Sequence, residues 1–435
     1  MLCKHAFVPS NFCGGRITPV PKKAGKCDSF DDFRPITTVN ALGKIFEYCL
    51  LSKLEPCLDF HELQFGFTRG GGCVTAIHVL RTVTEYFIEH GSNVYVSALD
   101  ISKAYDRLNH CIIILKLRRL NVPIDIILLF MFWLQHLFAV VRWNGIDSVA
   151  FDIKSGVRQG GVCSAWIFNV YINDLIYILE DSGFGCHMHG LFVGCILYAD
   201  DVLLMSGSVL KLQYMLDLCH DYANSHELMF NSKKSGCLAF GTGYVENVLT
   251  DMSIGIEKIK WVSNYVYLGV NVIAGREFKT DIETGKRKFC AAINDVISHA
   301  QFLSEECIMH IINVQCLPIL GYGAGVWNVN YETKRSVGVC FNDAIRKLFH
   351  YNRWESVRNI LLGFRMLPMD IYLVQSRLLL IRSAMLSNRK IVKLCGNYVF
   401  ERDDFVSVLL KFRITNILSK SLIMSDIWNY LENDM

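Results

Sequence analysis

An α+β domain followed by a mainly α-helical part is the fold class this sequence predicts, on three observations. Up to about residue 275 short β-rich runs alternate with helical apolar spacing. From about Arg276 the spacing is helical almost throughout. Apolar residues make up 52% of the 435-residue chain and charged residues 20%, enough to bury large cores and too apolar for a disordered chain.

Residues 40–58 place Leu42, Ile45, Phe46, Cys49, Leu50 and Leu54 at helical spacing and predict a helix that stops before Pro56. Residues 75–90 predict a second helix, after the flexible run Arg69-Gly-Gly-Gly72. Residues 94–99 form a short apolar strand that ends at Asp100. The stretch 124–141 is the most membrane-like. Its uninterrupted apolar run, 126–134, is nine residues, and a bilayer span needs about twenty, so it predicts a buried core helix. Asn144-Gly145 between β-rich runs predicts a hairpin within 139–153. Residues 165–181 and 210–226 predict helices, and 194–206 a strand–turn–strand. The helical tail is expected to break at 317–325.

Net charge is only +3, but residues 276–420 hold 21 Lys/Arg against 13 Asp/Glu, a surplus of +8. Lys22, Lys23, Lys26 and Arg34 form a second basic cluster near the start. Charge divided this way suits a phosphate backbone on one side and metal ions on the other; solvated helix faces are the plainer alternative. Seventeen cysteines without a CxxC pair, and an N-terminus with no apolar segment, fit reduced thiols in an intracellular protein, nuclear or cytoplasmic and not secreted. Cys186, His187, His189 and Cys195 could be drawn as a zinc site, but their spacing matches no common finger.

The most informative local feature is the run from Cys195 to Met205, eleven residues that are apolar except where Asp200 and Asp201 interrupt them. Buried carboxylates without compensation are costly, and a tight hairpin that brings both to a sheet edge over a divalent cation removes the cost. Asp100 also ends an apolar strand. Three hard oxygen ligands at strand ends suit Mg²⁺, with substrate phosphates completing the shell. Two such ions can serve an in-line displacement at phosphorus. Taken alone, Tyr198-Ala-Asp-Asp201 reads better as a solvated turn, because a four-residue match is cheap.

It does not stand alone. Gly15-Arg-Ile-Thr-Pro-Val-Pro-Lys-Lys23, the run from Phe33 to Phe46, Gln64-Phe-Gly-Phe-Thr-Arg-Gly70, and the Asp100 strand through Tyr105 follow in order. Ser155-Gly-Val-Arg-Gln-Gly160 comes next, with Phe168-Asn169 and Asn173-Asp174-Leu175, then Tyr198–Asp201, the run from Leu228 to Lys234, and Tyr267-Leu-Gly-Val270. In the tail, Leu317-Pro-Ile-Leu-Gly-Tyr-Gly323 ends in Trp327. Read together, these segments resemble the reverse transcriptase domain of non-LTR (LINE-like) retrotransposons, from about Val8 to Lys393.

The resemblance implies a right-hand fold: fingers over 1–95, palm over 96–275 with a fingers segment inserted at about 110–155, a helical thumb over 276–395 and a C-terminal extension over 396–435. It implies an RNA-directed DNA polymerase that extends a DNA 3′-end on an RNA template with dNTPs, two Mg²⁺ ions (or Mn²⁺), and no membrane partner. Asp100, Asp200 and Asp201 would hold the metals. Lys22 or Lys23, with Arg34, would meet the triphosphate. Gln159 would place nucleotide and template, Tyr105 would exclude a 2′-hydroxyl, Tyr198 would bind substrate beside the acids, and Lys234 would be the general acid for pyrophosphate. Lys233 competes with Lys234 for that role, and each of these residues also has a plain structural reading as core, turn or solvated surface.

The chain departs from the family where Gly161-Val-Cys-Ser-Ala-Trp166 lacks the usual proline, and where Gly72-Cys73 stands for the usual Ser or Thr. With the polymerase motifs starting so early and few acids after Lys393, the expectation is a fragment or degraded copy that extends a supplied primer but does not nick DNA. Competing readings are a non-catalytic RNA-binding relic and a group II intron-type maturase.

Overall fold

The computed structural model describes residues 6–22, 25, 28–241 and 250–433. The chain divides into two compact units. Met1–Gly71, Tyr95–Cys237 and Leu249–Trp261 form one; Gly72–Val94, Leu238–Val248 and Val262–Met435 form the other.

Among the described residues the first unit has two larger sheets beside two two-stranded ribbons. One runs in the order Phe33–Val39, Gly14–Pro21, Phe138–Trp143, Ile146–Asp147, with Gly14–Pro21 antiparallel to the first and parallel to the third. The other has the order Gly236–Phe240, Val94–Asp100, Asp201–Ser206, Cys195–Tyr198, and the chain passes between units within its first strand. Val202, Leu203, Leu204 and Met205 are buried on both faces, which is why this stretch reads as a continuous apolar run. Helix Ser164–Asp181 is buried on most of its circumference, with Phe168, Tyr171, Ile172 and Leu175 fully enclosed. Each such side chain contributes roughly 1.5–3 kcal/mol by burial.

Helix Ala41–Leu54 begins where Asn40 accepts the Gly43 N–H at 2.6 Å and buries Phe46, Glu47, Leu50 and Leu54 at three-to-four spacing. The stretch 124–141 is a helix only over Ile124–Gln135, whose inner face is Ile126, Ile127, Phe130, Trp133 and Leu134. Beyond it Phe138–Trp143 is a strand, because its β-branched and aromatic residues pair with Gly14–Pro21. The turn that follows has Asn144 at φ 47° and Gly145 at φ 82°, the left-handed pair that an Asn-Gly hairpin requires.

The second unit is mainly helical. One core gathers Phe289, Ile312, Phe341 and Ile345; another gathers Leu378, Phe405, Ile423, Ile427 and Leu431. Helix Cys73–Glu89 belongs here and lies on Lys390–Phe400, with the Tyr86 and Tyr398 rings 5.5 Å apart. The break expected at 317–325 starts later. A π-helical stretch at Ile312–Cys316 runs directly into Leu317–Leu320, which carries Pro318. Only Gly321 to Gly323 ends the helix, Gly323 at φ 75°. The run Glu305–Val326 is long and apolar enough to cross a membrane, yet Ile308, Ile312, Leu320 and Ala324 belong to the first of these cores.

Candidate active site

Strand register places the acids. Asp201 stands opposite Asp100 on one side and Tyr198 on the other. Directly opposed residues in an antiparallel pair lie within roughly 5.5 Å at Cα, so two like charges meet across the strands, an arrangement that is destabilising by itself. The hairpin that carries Asp200 turns at Ala199, which holds φ 52°, a left-handed conformation that is costly for a residue with a Cβ.

A second segment braces this turn. Phe65 N–H donates to the Leu197 carbonyl at 2.7 Å, and Leu197 N–H to Leu63 at 2.9 Å. A Cβ on Gly66 would lie 2.5 Å from the Ala199 nitrogen, so only glycine fits there. Asn169 fixes Gly66 by donating to its carbonyl at 2.7 Å. The Gln64–Gly70 and Phe168-Asn169 signatures are thus the brace of the acid-bearing turn.

Residues 229–235 wrap the Asp100 main chain. Asn231 N–H donates to the Asp100 carbonyl at 2.8 Å and Ser102 N–H to Met229 at 2.7 Å. The Ser235 hydroxyl accepts the Asp100 N–H at 3.3 Å. This delivers Lys234 Nζ to 3.1 Å from Asp100 Oδ2, and Lys233 is not the residue brought there.

The electrostatics follow from this crowding. Burial pushes the Asp201 carboxyl up to about 7, and the charges of Asp200 and Asp100 add to the push. Asp200 is raised by burial and by Asp100, with Lys234 and Arg34 pulling the other way. Tyr105 is pushed up to about 12 by burial and then by Asp200, and its ring stacks on Phe168 at 5.6 Å and 26°.

The structure therefore brings together Asp100, Asp200, Asp201, Lys234 and Tyr105, with the Arg34 charge felt at Asp200. Arg34 is exposed on strand Phe33–Val39, opposite Val20. Lys22 Nζ donates to the Asp31 carbonyl at 2.6 Å. Lys23 and Lys26 lie outside the described residues. Gln159 is held by its main chain, its carbonyl accepting the Thr37 N–H at 2.7 Å. Tyr198 is half-buried, its ring 6.5 Å from Phe67.

Among the described residues no three His, Cys, Asp or Glu side chains close into a preformed metal shell, neither the three aspartates nor Cys186, His187, His189 and Cys195. Cys186 and Cys195 are buried thiols pushed up by burial, while His187 is exposed. The aspartates nevertheless suit a divalent cation by donor type and charge: three carboxylates stand around one ion-paired lysine, and Asp201 resists ionisation because it is buried and faces the charges of Asp200 and Asp100.

Two parts were missed by sequence reasoning. Lys103, held at φ 49°, reaches Asp31 Oδ1 at 2.9 Å, and its place between Asp100 and Asp106 was the available signal. Arg158 lies inside the Ser155–Gly160 signature and pairs with Glu47, with both side chains 1% exposed. Nothing local marks Glu47, because a lone acid on an amphipathic helix reads as solvated.

Residues 20–272, more than half of the chain, match the reverse transcriptase (RNA-dependent DNA polymerase) family. The chain is 27% identical over 256 residues to the retrovirus-related Pol polyprotein of the type-2 retrotransposable element R2DM of Drosophila melanogaster, covering 56% of this chain and 24% of that protein. It is 23% identical over 360 residues to the Pol polyprotein of the type-1 element R2 of Popillia japonica, covering 80% and 49%. It is 27% identical over 343 residues to the RNA-directed DNA polymerase of the Drosophila melanogaster mobile element jockey, covering 74% and 36%. The chain thus spans half or less of the length of these relatives. With its mixed first part and helical C-terminal part it has the right-hand fold, and the chain belongs to the reverse transcriptase family, whose members work with divalent metal ions.

Proposed function

We propose that this chain extends a DNA 3′-end on an RNA template, as the polymerase domain of a LINE-like element, with two Mg²⁺ ions. The observation that carries the reading is the meeting of Asp100, Asp200 and Asp201 at paired strand ends with Lys234 as their one ion-pair partner among the described residues. Asp100, Asp200 and Asp201 hold the cations, which when bound supply the Lewis acidity for attack of the primer hydroxyl on the α-phosphate.

The chain's own groups do the rest. Arg34 and Lys22, with Lys23, bind the triphosphate, the guanidinium as a fork and the ammonium as a point charge. Tyr105 fills the space a 2′-hydroxyl needs. Gln159 helps to place the nucleotide and template, and Tyr198 contributes to substrate binding beside the acids. Lys234 Nζ gives up a proton to the departing pyrophosphate. Fingers over 1–95 and 110–155, palm over the rest of 96–275 and thumb over 276–395 are the corresponding division, and the site of action is intracellular.

The test is extension of an oligo(dT) primer on poly(rA) with dTTP and Mg²⁺ or Mn²⁺. Incorporation that depends on the cation and follows the protein through purification supports the reading. RNA binding without incorporation under both cations overturns it in favour of a non-catalytic relic.

A further inference from the structure

The Glu47–Arg158 pair has no part in the chemistry above, and its surroundings are unusually complete. Arg158 Nη2 meets Glu47 Oε1 at 3.1 Å, and Nη1 donates to the Gly14 carbonyl at 3.1 Å. The guanidinium lies 5.2 Å from the Trp133 ring centre. Glu47 Oε2 accepts the Cys163 N–H at 3.2 Å. One ion pair thus joins strand Gly14–Pro21, helices Ala41–Leu54 and Ile124–Gln135, and the start of helix Ser164–Asp181. Glycines make room for it: a Cβ on Gly15 would lie 3.3 Å from Arg158 Cδ, and one on Gly161 3.2 Å from Glu47 Oε2.

Burying two charges costs several kcal/mol per ion, and apolar residues of the same volume commonly serve stability as well. What the pair provides is fixed geometry, and its flanks show where that geometry is delivered. The residue before Arg158, Val157, donates its N–H to the Tyr105 carbonyl at 2.8 Å. The residue after it, Gln159, accepts the Thr37 N–H on the strand that carries Arg34. Gly160 closes against the same strand, where a Cβ would lie 2.8 Å from the Thr37 carbonyl.

We infer that Glu47 and Arg158 are positioning residues that set the spacing of Arg34, Tyr105 and Gln159, and so the fit of the incoming nucleotide. This rests on the proposed polymerase activity. The pair touches no substrate. It acts by fixing the loop 155–163 between the Tyr105 segment and the Arg34 strand.

The experiment is single-nucleotide incorporation on a preformed RNA template–DNA primer, with KM for the dNTP, kcat and unfolding temperature measured for the full chain. The variants are Glu47→Gln and Arg158→Lys. Lys116→Met is the control, since it removes another buried lysine or arginine that pairs with an acid, Asp174, at 2.7 Å. KM should rise about tenfold or more in both pair variants while kcat stays within about threefold, because small misplacements of a bound group are costly. Lys116→Met should leave KM unchanged even where its unfolding temperature falls as far.

Unchanged KM in both pair variants, or an equal rise in Lys116→Met at equal loss of stability, overturns the inference. If the single variants do not fold, the apolar double variant Glu47→Leu/Arg158→Met decides. Parental KM in a stable double variant overturns the inference, and a raised KM supports it. An inactive unaltered chain fails the proposed function, and this inference falls with it; an active chain with unmoved KM sinks only the inference.

Discussion

Each unit gathers three acids, and the two units treat them in opposite ways. In the helical unit Glu85, Glu89 and Asp404 meet three arginines. Arg81 Nε lies 2.8 Å from Glu85, Arg377 Nη2 lies 3.1 Å from Asp404, and Arg402 reaches Glu85 at 3.2 Å, Glu89 at 2.6 Å and Asp404 at 3.2 Å. In the other unit Asp100, Asp200 and Asp201 meet Lys234 alone as an ion-pair partner among the described residues. The consequences show in the carboxyls. Burial works against ionisation of Asp404, yet Arg377 and Arg402 hold it below the usual carboxylate range. Asp201 is driven up to about 7. A balanced cluster is architecture; an unbalanced one at strand ends is held in readiness for charge from outside the chain.

The largest expected effect breaks the unbalanced side. Asp200→Asn should lower nucleotide incorporation at least about a thousandfold, roughly 4 kcal/mol of transition-state stabilisation. The same change should leave the cation-free unfolding temperature unchanged or higher, because it removes a charge the fold does not neutralise. Glu85→Gln should do the reverse, costing stability while incorporation per folded molecule holds. Incorporation by Asp200→Asn within tenfold of the parent would show that the acids are ordinary turn residues.

Acid sharpens the comparison by upsetting the balanced side. His78 is fully buried on helix Cys73–Glu89, and its pKa is lowered from 6.5 to about 3 by burial, then by Arg81 on the same helix and Arg377 on Met369–Met385. Because the folded value lies below the unfolded one, this contribution is complete above pH 6.5 and is lost as pH falls toward 3. At pH 5 the loss should be roughly 2 kcal/mol. Urea unfolding at pH 7 and pH 5 measures it, and His78→Leu should flatten the dependence by that amount. An identical pH response in the two proteins would mean that His78 is not held neutral.

Lys234→Met removes the one ion-pair partner that the acids have among the described residues, leaving the more distant charge of Arg34. It should reduce kcat about tenfold, near 1.4 kcal/mol, with little change in KM, because the ammonium serves the leaving group and is exposed. Loss confined to KM would make Lys234 a binding residue and leave the general acid unassigned.

Much of this contrast was legible in the chain. Asp100 and the Asp200-Asp201 pair stood out as acids at the ends of apolar strands, since a continuous apolar run makes a charge conspicuous. The segment from Leu228 to Lys234 left Lys233 and Lys234 in competition, and the hydrogen bonds of residues 229–235 to the Asp100 main chain bring Lys234 to the acids. The helical cluster was invisible. Arg402 lies more than 300 residues from Glu85 and Glu89, and nothing on either helix marks the pairing. Glu47 was hidden for the same reason. Local patterns report which face of an element is apolar; they do not report which distant charge meets a buried one. The stretch 124–141 failed differently, because strand pairing with Gly14–Pro21 overrode an apolar run that could have continued as helix.

The smallest expected effect tests whether balance brings redundancy. Arg402→Met deletes the residue with the most ion pairs in the helical cluster, yet each acid it leaves keeps another partner. Glu85 retains Arg81, Asp404 retains Arg377, and Glu89 still accepts from the Tyr398 hydroxyl. The arginine side chain is 32% exposed, so water and salt already weaken its pairs. The expected cost is therefore about 1 kcal/mol in urea unfolding, well below the 3–5 kcal/mol typical of a buried pair broken on one side. In 1 M salt the difference from the parent should shrink further. A loss above about 3 kcal/mol that persists in high salt would show that Arg402 is the cluster's sole effective counter-charge. The helical unit would then be as finely poised as the acid-bearing strands, and the distinction between balanced and unbalanced charge would cease to mark the candidate active site.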